Sequence, residues 1–181
     1  MPPVALKTRP VVIALSVLFA VATVTVTAVV TAGAKRPMDH TFTVSATVAA
    51  PCDEAWAAVA DLKGQAAWRA DLAEVRAMPD RLGRAAWMEF YSHGERMIVS
   101  EVALEPPSRL VWRLDDDTGP FEARWEFALS DAGGCEVSLR EEGRSRNPMF
   151  RFVLHYLVGE EAYARLYLSE LSAHLADRER R

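Results

Sequence analysis

Val11 to Ala34 is a run of twenty-four residues without one charge. Few features constrain a chain more. In lipid every backbone amide must find its partner inside the segment, so such a run folds as a helix. At about 1.5 Å rise per residue it reaches roughly 36 Å, enough to cross a hydrocarbon core of about 30 Å. Lys7 and Arg9 precede it, and Lys35 and Arg36 follow it. Its hydroxyls (Ser16, Thr23, Thr25, Thr27, Thr31) are compatible with insertion, because a hydroxyl can bond back to its own helix.

Two readings compete for this run. A cleaved secretory signal needs a basic start, a short apolar stretch and a small-x-small site, and Ala32-Gly33-Ala34 would serve as that site. The apolar stretch is longer than a signal needs, which favours a retained single-pass anchor. Basic residues number two on each side, with a free amino terminus before the run. The positive-inside rule then tips the following domain toward the extracytoplasmic side, as a cleaved signal also would.

The remainder is acidic. Of 21 basic residues, 17 follow Arg36, against all 25 acidic ones, a formal charge of −8. That argues against nucleic acid as a partner, since phosphate binding wants a basic face. About 145 residues suit one domain with a single core. Cys52 and Cys135 allow one disulfide, but nothing in their spacing says they meet, so each reads as a small buried apolar residue. Neither has metal-ligand spacing, and no metal or other cofactor is expected.

The organisation expected is a tail (1–10), a transmembrane helix (11–34), a linker (35–39), a domain (40–176) and a basic tail (177–181). His40 to Val48 alternates as a strand with one buried face. Asp53 to Ala60 reads as a short helix, acidic in its first turn, and Gln65 to Ala70 as a second helical piece. Six further strands are expected: Ala73–Met78, Arg84–Ser92, Glu95–Leu104, Ser108–Asp115, Phe121–Leu129 and Cys135–Glu142. Short turns between them imply antiparallel neighbours. Phe121, Ala123, Trp125, Phe127 and Leu129 share an apolar face, opposite Glu122, Arg124 and Glu126. Asn147 caps, and Pro148 opens, one long helix to about Ala176, loosened in its middle by Gly159, with an apolar stripe through Phe150, Val153, Leu154, Leu157, Ala164, Leu168, Leu171 and Leu175. The fold class is α+β: a curved seven-stranded antiparallel sheet wrapped around a long C-terminal helix, with two short helices between strands 1 and 2, preceded by one transmembrane helix.

Ala50-Pro51, Glu54, Trp56, Asp61 and Trp68 resemble the opening pattern of the polyketide cyclase/dehydrase and lipid-transport group of the START-like helix-grip superfamily, also called SRPBCC. Gly83, Glu101-Val102, Glu105-Pro106-Pro107, Arg109-Leu110, Trp125-x-Phe127-x-Leu129 and Gly133-Gly134-Cys135-x-Val137 agree in order. The resemblance spans about residues 40–176. It implies a hydrophobic cavity between sheet and helix, but no particular reaction. Such a cavity would be lined by Met88, Phe90, Trp112, Trp125, Phe127, Val153, Tyr156 and Leu157.

Other candidates weigh less. Asp115-Asp116-Asp117 lacks cation-ligand spacing and reads as a solvated hairpin tip. Glu89 and Glu101 would make an acid and base if both faced inward, but Glu89 alternates with Met88 and Phe90 and so reads as a surface carboxylate. His155 and Arg151 read as a rim or surface pair able to orient a ligand oxygen. The function expected is a membrane-tethered binding domain for a hydrophobic small molecule or lipid. The alternatives are a cyclase/dehydratase-like enzyme using the same cavity, or an interaction module with a filled core. With no ionisable set securely inward, a catalytic reading is disfavoured.

Overall fold

A computed structural model describes residues 8–180 apart from 82, 117–120 and 132. Helix α1 (Thr8–Ala34) carries the uncharged run, whose apolar side chains from Val11 to Val26 project away from the rest of the molecule. Within it, the Thr23 and Thr25 hydroxyls donate to the Phe19 and Val21 carbonyls, each at 2.9 Å, which removes the cost of placing them in an apolar surrounding.

Strands β1 (Asp39–Val48), β2 (Leu72–Arg81), β3 (Arg84–Tyr91), β4 (Arg96–Glu105), β5 (Arg109–Asp116), β6 (Phe121–Asp131) and β7 (Cys135–Ser145) form one sheet in the order β1-β7-β6-β5-β4-β3-β2. Every neighbouring pair is antiparallel. The alternation read for residues 121–129 is the observed one: Ala123, Trp125, Phe127 and Leu129 are buried. Strand β2 runs on through Pro79, where a turn was expected. It is an edge strand, so a missing amide donor is tolerated there, and its register slips between Met78 and Arg81.

Helix α2 (Cys52–Ala60) and a 3₁₀ turn (Gly64–Ala67) connect β1 to β2. The C-terminal helix that the sheet grips is α4 (Ala162–Glu179). Its buried positions Ala164, Tyr167, Leu168, Leu171 and Leu175 form the stripe that closes the core against Val44, Leu110, Phe127 and Leu139. The rod expected from Asn147 to Ala176 is interrupted. Helix α3 (Pro148–Val153) passes into one π turn (Leu154–Val158) and stops at Gly159, whose φ of 96° is open to glycine and costly for other residues. Asn147 does cap α3, its Oδ1 accepting from the Met149 and Phe150 amides at 2.9 and 3.3 Å.

The break lets α3 leave the sheet and pack on the last turn of α1. Gly33 makes this approach possible, since a Cβ there would lie 1.8 Å from the Pro148 carbonyl oxygen. Arg151 donates to the Gly33 carbonyl at 3.0 Å and to the Ser145 carbonyl at 2.8 Å. Arg36 donates to His155 Nδ1 at 3.0 Å. The Arg151–His155 pair therefore fastens the domain to the helix before it.

Cys52 and Cys135, expected to be separate, are joined by a disulfide with Cα atoms 5.0 Å apart. The reason lies in the sheet. Val48 pairs with Cys135 across β1 and β7, and Cys52 follows four residues later at the start of α2. A separation of 83 residues along the chain conceals that proximity.

Candidate functional site

Between the sheet and the C-terminal helices lies a cavity of about 100 Å³. Trp125, Met97 and Leu114 form its sheet wall, and Phe150, Leu154 and Tyr167 its helical wall. Aromatic edges meet there: the Tyr167 ring sits 5.6 Å from Trp125 and 5.3 Å from Phe127.

The inner end is charged, which the sequence did not suggest. Glu89 is buried, and the face opposite to it carries Met88 and Phe90. The reading of Glu89 as a surface group assumed those two apolar side chains were the buried ones. The phase is reversed: Trp87, Glu89 and Tyr91 point to the core, while Phe90 stacks under the Arg76 guanidinium at 4.5 Å on the outer face. Arg69 reaches Glu89 from the segment after the 3₁₀ turn. Its Nη1 donates to Glu89 Oε1 at 2.9 Å and to Gln65 Oε1 at 3.2 Å, and its Nη2 donates to the Tyr91 hydroxyl at 2.9 Å. That hydroxyl donates in turn to Glu89 Oε2 at 2.5 Å. Arg69, Glu89 and Tyr91 thus form a closed triangle, held from behind by Gln65 bonded to the Val59 carbonyl at 2.9 Å.

Electrostatics follow from burial. Burial opposes the Arg69 charge, yet the Glu89 carboxylate beside it holds the guanidinium above its ordinary pKa. Burial, reinforced by Glu89, pushes the Tyr91 hydroxyl up, so it stays a neutral donor. Burial likewise raises Tyr167. The Tyr167 hydroxyl lies near Gln65 without a hydrogen bond of sound geometry among the described residues, which is costly for a buried donor. A second polar set enters from β7. Glu141 accepts from Trp125 Nε1 and from His40 Nε2, each at 2.6 Å. The Glu141 hydrogen bond raises the pKa of His40.

Of the residues expected to line the cavity, Trp125 does so, while Trp112 and Phe127 are packed in the core beside it. Met88 and Phe90 sit across the sheet. Tyr156 and Leu157 are 53% and 70% exposed, and Val153 is half-buried, because the bend at Gly159 turns that segment outward. Glu101 is half-buried opposite Trp112. Asp115 pairs with Arg113 at 3.1 Å, and Asp117 lies outside the described residues. Among the described residues no three His, Cys, Asp or Glu side chains are grouped to hold a metal ion. Sequence reading passed over Arg69, Tyr91, Glu141 and Tyr167. The one available signal was the spacing of Glu89 and Tyr91 two apart on a strand, which puts them on the same face.

Solved structures share this fold at low identity. The Zhui aromatase/cyclase from Streptomyces sp. R1128 superposes with a TM-score of 0.63 at 18% identity, over 79% of this chain and 95% of that one. A START superfamily protein from Mycobacterium smegmatis gives 0.62 at 11%, over 76% and 98%. The major latex-like protein 151 from Panax ginseng gives 0.57 at 12%, over 77% and 99%. Among curated proteins none matches the sequence significantly. At such identities the likeness speaks for the fold alone. The family model described as polyketide cyclase / dehydrase and lipid transport, however, matches residues 39–173 of the sequence itself. With a gripped helix, a cavity beneath it and that match over three quarters of its length, this chain belongs to the polyketide cyclase/dehydrase and lipid transport family.

Proposed function

We propose that the chain is a single-pass membrane-tethered domain that binds a hydrophobic small molecule or lipid bearing an oxygen-containing group. The supporting observation is the polarity of the cavity: aromatic and aliphatic walls, one of them carrying Tyr167, whose buried hydroxyl has no hydrogen-bond partner among the described residues. A ligand oxygen at that hydroxyl supplies the missing acceptor, and burial of the ligand's apolar area at about 25 cal/mol per Å² supplies most of the affinity. The space of about 100 Å³ is below the roughly 300–1,000 Å³ of drug-sized sites. Binding of a larger ligand therefore requires α3 to swing at Gly159. The domain faces the extracytoplasmic side in this reading, because the Cys52–Cys135 disulfide persists in an oxidising compartment.

One observation favours a catalytic variant of the same reading. The Tyr91 phenol is hydrogen-bonded to the Glu89 carboxylate in a water-poor recess with Arg69 balancing the charge, an acid–base pair of the kind that moves a proton.

The experiment is solvent extraction of the purified full chain with mass spectrometry of the extract, followed by titration with a fluorescent fatty acid. Saturable binding weakened about 2–10-fold by Tyr167→Phe, the worth of one hydrogen bond, is expected. An empty extract together with non-saturable binding overturns the proposal. Turnover of a poly-β-ketone lost in Tyr91→Phe, with probe binding retained, would select the catalytic variant.

A further inference from the structure

We propose that the segment 148–158 lies in the bilayer interface and that the cavity opens onto lipid, so that the ligand enters from the membrane. This rests on the reading of α1 as an anchor, and adds to it the depth and route of entry.

Depth is set by α1. About 20 helical residues cross a hydrocarbon core, so Val11–Val30 suffices and the last turn, Thr31–Ala34, stands at the interface. Helix α3 packs on that turn, through Gly33 against Pro148 and through Arg151 on the Gly33 carbonyl. A segment fixed there cannot sit far from the headgroups. What it exposes is apolar: Met149, Tyr156, Leu157 and Val158 are 43–70% exposed. Water is a poor neighbour for such a cluster; the acyl boundary is a good one. Lys35 and Arg36 at the end of α1 suit the phosphate layer.

The route follows from the register. Asp39, which leads back to the anchor, is level with Arg144, Glu122, Asp115 and Ile98 across successive strands. Met97, Leu114 and Phe121, which line the cavity, lie next to that row. The cavity thus occupies the anchor end of the sheet, whereas Asp131 and Cys135 mark the far end, about nine residues or 30 Å along β1. Its rim is two-sided. Phe150, Leu154, Tyr163 and Leu166, with the carboxylates of Glu160 and Glu170 among them, make one half, and Asp71, His93 and Glu95 the other. The first half is built from α3, the π turn and α4, and of these α3 packs directly on α1.

The full chain, reconstituted in phosphatidylcholine vesicles with acyl-brominated lipid, tests this. A fluorescent label is placed under non-reducing conditions at one of four substitutions: Val24→Cys in the anchor, Leu157→Cys, Leu166→Cys on the rim, or Asp131→Cys at the far end. Quenching at 157 and 166 within about twofold of that at 24, and none at 131, is expected, since interfacial helices bury their apolar faces roughly 5–10 Å deep. Quenching at 24 alone overturns the inference and leaves the anchor standing. Quenching at 24 and 157 without 166 overturns the membrane route. Absence of quenching at 24 overturns the anchor and this inference together.

Discussion

At the scale of single residues, the decisive group is Glu89. A carboxylate buried on a strand is tolerable only with its charge matched and its oxygens bonded, which Arg69 and Tyr91 accomplish together. Removing either charge strands the other. Arg69→Met and Glu89→Gln are each expected to cost about 3–5 kcal/mol. The double variant should lose much less than the sum, since neither charge remains; urea denaturation of all three checks it. His40 gives a pH signature. Its folded-state pKa is raised above 6.5 by the Glu141 hydrogen bond. The pair therefore contributes stability that is fully present below the unfolded-state pKa and is lost as pH rises through the elevated one. Thermal midpoints should fall across that window in the native chain, and the fall should flatten in Glu141→Gln.

At the scale of elements, two devices hold the helices in place. Gly159 ends the π turn at φ 96°, so Gly159→Ala should cost about 1–3 kcal/mol through backbone strain, and calorimetry reads that as a lowered midpoint. The Cys52–Cys135 bond ties α2 to β7 across 83 residues. In the chain-entropy account a loop of that size contributes about 4–5 kcal/mol. Cys52→Ala with Cys135→Ala should lose stability of that order in denaturant titrations and keep the far-ultraviolet spectrum. Strand pattern and turns were legible in the sequence because alternation and turn chemistry are local. The phase of β3 was not. Met88 and Phe90 are as apolar as core residues, and their partner Arg76, which covers Phe90, lies on another strand. The bend was legible only in part: Gly159 marks a weak point in the helical pattern, but that the helix stops and turns there depends on the packing of α3 on α1.

For the whole molecule, helix α1 and the domain form one packed unit through Gly33, Arg36, Arg151 and His155. Gly33→Val should drive α3 away from α1 while α1 itself remains apolar. The expected outcome is unchanged membrane fractionation with faster proteolysis at the junction of α3 and α4. Equal proteolysis of the two chains would contradict the contact.

The sequence by itself determined the helix of membrane-spanning length, the number of strands and the family, because hydropathy, period and ordered short motifs are properties of neighbouring residues. Only the tertiary structure decided which face of β3 is inside, that Cys52 meets Cys135, that a charged triangle ends the cavity, and that the helix before the domain packs on α3 within it. Each of those depends on residues distant in the chain meeting in space, and the energy that fixes them, burial and charge pairing, exists only once they have met.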